Sequence, residues 1–561
     1  MQKVWNVKKY DDNEIYEMVN KHNISKIMAK FLISRGIKDD DVEVFLNGNM
    51  SYIKDPFLIK DMDKFVERVS LAIENKEKIC IYGDYDVDGI TSITVMYKFL
   101  TNLGANVIYY LPDRLIEGYG VNNQALDYIK EQGTNLIITV DCGITANLEV
   151  EYAKSIGMDI CITDHHECPE TIPNATAVVN PKRKDDTSYF KMHAGVGVAF
   201  KCIMALSKKY NLSEDSYLRY LDIVAIGTIS DIVPLLDENR IISKYGLKMI
   251  ENTENVGLRA LFNIVTFKEI DSMMVSFGMA PRINACGRMG KASLAVELLL
   301  ENDSKRATEL ANELDKLNIL RQQIEKEIFD KAIQMIQNNK LQDKNSIVLY
   351  SEDWHNGVIG IVASRLVNIY YRPVILLTKE NGVVRGSGRC QAGFSLYSAI
   401  TECKDLVIQF GGHELAAGLS IEEKNIPLFV DRFEEIVTNT RTTINEQIID
   451  IDLEVFKEDL NVQIIRDIYT LKPYGQSNKQ PIFVYKNLKI HSIRTLKDDK
   501  HLKLTLQDDR YLIEGIAFSQ GDRRDELKLG DRIDLVCTIE LNTFNTPKTL
   551  QLLIQDFKKS I

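Results

Sequence analysis

The chain has 561 residues, 45% hydrophobic and 27% charged, which is ordinary globular usage and enough for three or more domains with cores of their own. Lys plus Arg total 69 against 80 Asp plus Glu, a net charge of −11, so the protein as a whole does not attract polyanions and any nucleic-acid binding must come from local patches. Apolar runs such as PVILL (373 to 377) are far too short to span a membrane, MQKVWNVKKYDD lacks the apolar stretch of a signal peptide, and nine scattered cysteines form no C-x-x-C pair. A soluble, cytoplasmic protein with buried thiols is expected, with no disulfide framework, structural zinc site or membrane partner.

In chain order, residues 1–75 read as a mostly helical extension of the next domain, ending in the amphipathic DKFVERVSLAIENKE. The stretch 76–300 reads as a parallel-sheet α/β domain. Short β-type runs (KICIY, NVIYYL, NLIITV, MDICIT, TAVVN) recur, and helix-length segments ending in glycine separate the first four. GVGVAF (195 to 200) begins like a dinucleotide fingerprint but has Phe200 where the third glycine or alanine belongs, so its glycines are read as helix packing. From about 192 the pattern is predominantly helical and closes with a charged, heptad-like run. Residues 301–340 are therefore read as a long connector helix, the apolar stripe being short for a coiled-coil seam. A second, smaller α/β domain is expected over 341–445. The alternating strands of 446–561, with turns at 498 and 508, suggest a β-barrel of OB type or a structural β-domain. From residue 491 onward basic and acidic side chains balance at 12 each, so the rest of the chain carries the negative excess.

The five β-type runs lead into GDYDVDG, PDR, DCG, DHH and NPKR respectively. Ligands of parallel sheets bind beyond the carboxyl ends of the strands, so these acidic and imidazole groups should meet along one edge. GDYDVDGITS starts like an EF-hand, with Asp84, Asp86 and Asp88 at alternate positions before Gly89, but the twelfth position is Val95 and the preceding KICIY is a strand. The stretch is instead read as a strand-to-helix turn, Gly89 allowing the bend and Ile90, Ile93, Tyr97 and Leu100 continuing an apolar face. Asp86, Asp88, Asp141, His165 and Asp231 supply the oxygen and imidazole donors that Mn2+ or Mg2+ prefers, with no thiolate. Two such ions, bridged by carboxylate, suit hydrolysis of a phosphodiester by water. Of the neighbours His165 and His166, pointing to opposite sides, one should ligate and the other face the phosphate.

In order, GDYDVDGITS, VDCGI, TDHHE, GTISDIVPL and PRINACGRMG closely resemble the DHH phosphoesterase superfamily, and within it the bacterial exonucleases specific for single-stranded DNA. WHNGVIGIVASRL, RGSGR and GGHELAAG resemble the second core domain of those enzymes, and the β-rich end their OB domain. The resemblance implies a 5′-to-3′ exonuclease that hydrolyses single-stranded DNA to mononucleotides with two metal ions, in DNA repair and recombination. It implies Asp86, Asp88, Asp141, His165 and Asp231 as metal-holding catalytic residues, Asp84 as a further ligand or a group behind one, and His166 on the reacting phosphate.

It also implies that Arg114, Ser387 and Arg389 capture a 5′ phosphate, in the lobe that carries Arg385, Gly411, Gly412 and His413. Ser387 and Arg389 among glycines suit a phosphate cradle by their own chemistry, while a flexible hairpin tip is the other reading of RGSGR. Tyr119 reads as a base-stacking ring or a core tyrosine. Arg282 and Arg288 add charge near the metals, and Asn284 a hydrogen-bonding group. A single-strand-binding protein and a helicase are expected partners by resemblance. The competing functions are a phosphodiesterase for oligoribonucleotides or cyclic dinucleotides, which is generally smaller and lacks connector and barrel, and a non-catalytic DNA-binding scaffold, against which the intact acidic and histidine positions speak.

Overall fold

The five β-type runs of the N-terminal half are all strands in the computed structural model, which describes residues 3–113, 117–118, 120–267, 269–380, 382–440, 447–542 and 549–560. They are β1 (Lys78–Gly83), β2 (Asn106–Tyr110), β3 (Leu136–Val140), β4 (Asp159–Thr163) and β5 (Ala177–Val179), all parallel, in the spatial order β2-β1-β3-β4-β5. Consecutive residues such as Ile79, Cys80 and Ile81 are fully buried because both sheet faces are covered, which is why the runs lack apolar–polar alternation. The crossover helices are α1 (Val87–Asn102), α2 (Asn123–Glu131) and α3 (Asn147–Ser155). Gly104, Gly133 and Gly157 follow them at φ of +82°, +78° and +74°, the left-handed conformation in which glycine ends a helix without strain. From β1 the chain steps one way to β2 and then back across to β3, so a crevice opens outside the carboxyl ends of β1 and β3.

Helices α4 (Gly195–Lys209), α5 (Leu221–Ser230) and α6 (Ala280–Arg288) complete this lobe. The connector is α7 (Ser304–Asn338), 35 residues or about 52 Å at 1.5 Å per residue. Its first half buries Leu310, Leu314 and Leu317, and its second half places Ile328, Ala332 and Ile336 in one core with Ile347 and Val358 of the next lobe. The apolar stripe is thus consumed within the chain.

The second lobe contains β6 (Ile347–Tyr350), α8 (Asn356–Tyr370), β7 (Val374–Glu380), β8 (Val383–Arg389), β9 (Val407–Gly412) and β10 (Ala416–Ile421), in the spatial order β9-β10-β8-β7-β6. RGSGR is therefore strand, not a hairpin tip. Gly386 and Gly388 face the core, where a Cβ would come within 2.5 Å of Leu377 and 2.8 Å of Leu396. Both lobes belong to one unit, residues 55–231 with 246–445.

The other unit gathers residues 1–54, 232–245 and 446–561. Strands Phe483–Leu496, His501–Asp508, Tyr511–Ala517, Thr549–Lys559 and Arg532–Asn542 pair in that order, and the last returns to the first, closing a five-stranded barrel. Asp498, Asp499 and Asp509 take positive φ in its turns, a conformation aspartate tolerates.

Two boundaries differ from the expectation. The stretch 1–75 does not simply extend the sheet domain: Lys3–Val7 pairs in parallel with Gln447–Ile451, and Ile15, Met18, Phe31 and Leu32 share a core with Phe483, Leu504 and Ile533. Residues 232–245 leave the sheet lobe because Arg240, fully buried, donates to the carbonyls of Phe45 at 2.8 Å, Leu471 at 2.8 Å and Thr470 at 2.9 Å.

Candidate active site

At the end of β1 the chain turns through Asp84 and Tyr85 to Asp86, the N-cap of α1. Its Oδ1 accepts the N–H of Asp88 at 2.9 Å and of Gly89 at 3.1 Å. Gly89 lies inside the helix, so its role is not to make the bend. A Cβ there would sit 2.3 Å from the Asp84 carbonyl oxygen, and only glycine lets helix and loop approach so closely. Behind it Ile90, Ile93 and Leu100 are fully buried as expected.

Asp88, two residues on, is also buried. Its Oδ2 accepts the N–H of Gly195 at 2.6 Å and its Oδ1 that of Val196 at 2.8 Å, so the N-terminus of α4 holds this carboxylate. Gly195 is required by a close approach as well, since its Cβ would meet Asp141 at 2.6 Å. The first glycine of GVGVAF thus belongs to the site, a role that no side chain announces in the sequence, while a Cβ on Gly197 would meet His193 at 3.2 Å.

Asp141 ends β3 at φ +59°, a left-handed conformation held by its N–H bond to the Thr163 carbonyl at 3.1 Å. His165 Nε2 lies 3.1 Å from Asp141 Oδ1, 3.6 Å from Asp231 Oδ2 and 3.8 Å from Asp88 Oδ2. Three sets of donor atoms, each set within 4.8 Å of one another, emerge: Asp84, Asp86 and Asp141; Asp88, His165 and Asp231; and Asp141, His165 and His166. Asp84 thus stands in one of the sets that could hold an ion, and Asp141 and His165 are each common to two of them.

The electrostatics match a site built for cations. Burial, then the charge of Asp86, pushes Asp88 up to about 7; burial, then Asp88, pushes Asp231 up to about 9; Asp141 is raised for the same reasons. Burial, then its neighbour His166, takes His165 down to about 3. Asp141 Oδ1, Asp231 Oδ2 and His165 Nε2 are buried without a hydrogen-bond partner among the described residues. Buried acceptors left this way are costly unless something positive meets them, so oxygen and imidazole donors without thiolate fit a divalent cation.

His165 and His166 do not point to opposite sides as expected. Their ring centroids are 4.5 Å apart. Strand alternation has ended at Thr163, and Asp164, fully buried, gathers the turn: it accepts the N–H groups of Ile144 at 2.9 Å, His165 at 2.7 Å and His166 at 3.1 Å, and lies 2.7 Å from His166 Nδ1. Burial alone would lower His166, but Asp164 outweighs it and raises the imidazole. Asp164 stands in the TDHHE motif, where its acidic letter beside two histidines was the available signal.

Of the residues expected near the substrate, Arg114 and Tyr119 lie outside the described residues. Arg282 is engaged elsewhere, with Nε 2.8 Å from Asp315 of α7 and Nη1 donating to the Gly278 carbonyl at 2.7 Å, so it secures the connector and is not a spare cation beside the carboxylate cluster. Asn284 lies two positions on, across the helix, and its Oδ1 accepts the N–H of Val87 at 3.3 Å. Arg288 donates to the Gly357 carbonyl at 3.0 Å, joining the two lobes beside the N-terminus of α8.

On the second sheet, Arg385, Ser387 and Arg389 alternate onto one half-buried face of β8. The register aligns Ser387 with Gly418 and Gly411, and Arg389 with Ala416, whose carbonyl accepts the N–H of His413 at 2.8 Å. Arg389 donates to Ser387 Oγ at 3.0 Å. At Gly411 a Cβ would meet nothing within 4 Å, and at Gly418 only a carbonyl at 3.8 Å, so this face has a clear floor between its polar groups. Gly412, at φ +138°, and the exposed His413 end β9 at its edge.

A carboxylate–imidazole cluster at the switch point of a parallel sheet, joined by a long helix to a smaller sheet, defines a protein of the DHH class. The DHH family N-terminal domain matches residues 78–228, the DHHA1 domain 343–439 and the RecJ OB domain 451–556. The chain is 39% identical to the single-stranded-DNA-specific exonuclease RecJ of Bacillus subtilis, over 98% of this chain and 70% of that one. It is 32% identical to RecJ of Salmonella typhimurium, over 95% and 96%. The crystal structure of RecJ from Thermus thermophilus in complex with Mn2+ matches with a TM-score of 0.86 at 28% identity, covering 100% of this chain and 80% of that one. The chain belongs to the RecJ family.

Proposed function

We propose that this chain hydrolyses single-stranded DNA from its 5′ end and releases mononucleotides. The observation that carries the reading is the overlap of ligand sets at Asp141 and His165, in a chain whose relatives are named single-stranded-DNA-specific exonucleases. Asp84, Asp86 and Asp141 would hold one divalent ion, and Asp88, His165 and Asp231 a second. Mn2+ and Mg2+ both suit these donors, and the Thermus thermophilus RecJ has been solved with each. Bound there, such ions lower the pKa of a water nucleophile and offset charge on the phosphoryl oxygens.

The chain's own groups supply position. The amides of Gly195 and Val196 fix the Asp88 carboxylate. Asp164 accepts from Nδ1 of His166 and favours the protonated ring, whose Nε2–H would donate toward a phosphoryl oxygen. Arg385, Ser387 and Arg389, with the open floor at Gly411 and Gly418, suit the phosphate at the 5′ end, and His413 borders them. The closed barrel suits a longer run of single strand. No helix among the described residues is long and apolar enough to cross a membrane. A cytoplasmic role in DNA repair and recombination, beside a duplex-opening helicase and a single-strand-binding protein, completes the reading.

The test is product analysis on 5′-labelled and 3′-labelled single-stranded DNA, beside an RNA oligomer and a cyclic dinucleotide. Mononucleotides released first from the 5′ end support the proposal. Preferential cleavage of the RNA or the cyclic dinucleotide would replace it with a phosphodiesterase, and DNA binding with no cleavage in Mn2+ or Mg2+ with a scaffold.

A further inference from the structure

The two helices that carry the site's carboxylates share a second meeting place at their far ends. Helix α1 leaves Asp86 and Asp88 at the cluster and brings Tyr97, Lys98 and Asn102 to a cavity of about 340 Å³. Helix α5 runs the other way, from Arg219 and Tyr220 at the same cavity to Asp231 at the cluster. Between these ends the helices touch closely: a Cβ on Gly227 would meet Thr91 at 2.2 Å. A ligand in the cavity would therefore press on both supports of the cluster without touching it.

The cavity's chemistry is that of an incomplete anion site. Lys98 is half-buried and makes no hydrogen bond or ion pair among the described residues, and burial lowers its pKa. Asp222 stands in the same wall, but its oxygens are taken by the Ile223 N–H at 2.7 Å and the Thr253 hydroxyl. Arg219 shares its charge with the exposed Glu254 at 2.9 Å. The Lys98 ammonium thus has no direct ion-pair partner among the described residues, the Asp222 carboxylate acting on it only through space, in a pocket whose volume falls in the range of small-molecule sites. The other walls mix polar groups with the apolar Ile223 and Leu300. Tyr97 and Tyr220 supply aromatic rings, the Tyr220 hydroxyl accepts from Asn102 at 2.9 Å, and the Asn302 amide stands beside them.

We propose that this cavity binds a 5′-mononucleotide, with its phosphate on Lys98 and Arg219 and its base against Tyr97, and that occupancy slows turnover from a distance. The identity of the ligand rests on the exonuclease reading, since mononucleotides are the product class of that reaction. Inhibition of this kind lowers kcat and is not relieved by excess DNA, because product and DNA occupy different places.

The experiment titrates the full chain with deoxyadenosine monophosphate in excess chelator, following thermal melting and equilibrium dialysis, with inorganic phosphate and deoxyadenosine as partial ligands. The wild type should bind the nucleotide saturably and melt several degrees higher. Lys98→Met should weaken binding about tenfold, one lost charge-assisted contact, and Lys98→Arg should restore most of it. With metal present, Lys98→Met should hydrolyse DNA at the wild-type rate and lose sensitivity to added nucleotide. Binding unchanged in Lys98→Met, no saturable binding at millimolar nucleotide, or phosphate binding as tightly as the nucleotide would each overturn the proposal. The dialysis does not depend on cleavage, so failure of the exonuclease reading is separately visible.

Discussion

His166 Nδ1 lies 2.7 Å from Asp164 Oδ1, and the same oxygen accepts the main-chain N–H of both histidines. A single buried carboxylate thus sets the backbone turn and one ring orientation. Replacing Asp164 by Asn preserves its size but offers the ring and amides a weaker acceptor. kcat on a short single strand should fall about 10- to 100-fold, the usual cost of removing a group that orients a metal-site histidine. KM should change little and the melting temperature only modestly. A change in KM alone would mean that His166 contributes to binding and not to the chemical step.

Asp141 is, with His165, one of the two positions where the candidate sets overlap, so Asp141→Asn should remove more than the same change at a carboxylate of one set alone. Loss of cation-assisted catalysis worth several kcal/mol corresponds to about 10³-fold or more in kcat. DNA affinity, followed by fluorescence anisotropy, should remain close to wild type. In the wild type, Mn2+ should restore activity after chelation and Ca2+ should not, because its loose coordination activates water poorly. A chelated enzyme rescued by Ca2+ would point to a different site.

The carboxylates also predict how the metal-stripped protein responds to pH. Asp88 is raised to about 7 and Asp231 to about 9 in the fold, so the folded state holds protons that the unfolded chain releases near about 4. The stability from these groups is fully present below the unfolded value and is lost as pH rises through the folded values. Melting of the stripped protein should therefore occur at progressively lower temperature as pH rises through about 7 and toward about 9. Added Mn2+ should flatten the dependence, its charge replacing the protons. A pH-independent melting curve for the stripped protein would mean that the cluster is not electrostatically strained.

The cluster was legible in the sequence because parallel sheets put chemistry directly after apolar runs, and Asp84, Asp86, Asp88, Asp141 and His165 each follow one. What the sequence withheld depends on partners that carry no letter of their own. The hold on Asp88 is made by main-chain N–H groups at Gly195 and Val196. Arg282 and Arg288 look equivalent in PRINACGR, yet one faces Asp315 and the other Gly357, because helix geometry sends positions six apart to different neighbours. The apolar face of the helix Lys26–Ser34 was readable, but its burial against Phe483 and Ile533 instead of the sheet domain was not, since periodicity reports that a face is covered and not by what.

The second lobe offers a test that changes shape and leaves charge alone. Gly418 lies between Ser387 and Gly411 across three strands, and a side chain there would enter open space and not the core. Gly418→Val should keep the fold, since valine favours strands, while obstructing the floor on which a 5′ phosphate would lie. Arg389→Ala removes a charged hydrogen-bond donor worth about 1.5–3 kcal/mol, or roughly 10- to 100-fold in kcat/KM. Both variants should lose the preference for 5′-phosphorylated over 5′-hydroxyl oligonucleotides. An equal loss on both substrates would place the 5′ phosphate elsewhere.

Removing the barrel is the obvious way to ask what it contributes, and the structure predicts that the simple deletion will mislead. Residues 1–54 complete the barrel unit, so cutting the chain at 446 strips the cover from Ile15, Met18, Phe31 and Leu32. Each such side chain loses about 1.5–3 kcal/mol of burial, and the strand Lys3–Val7 loses its partner Gln447–Ile451. That product should aggregate, as judged by size-exclusion chromatography. The informative truncation removes residues 1–54 together with 446–561. It still leaves 232–245 without the carbonyls that receive Arg240, so Arg240→Met should accompany it to avoid stranding a buried charge. This shortened protein should cleave very short single strands at a rate near that of the full chain and bind long ones more weakly. Equal losses on short and long strands would show that the barrel is not a grip on DNA.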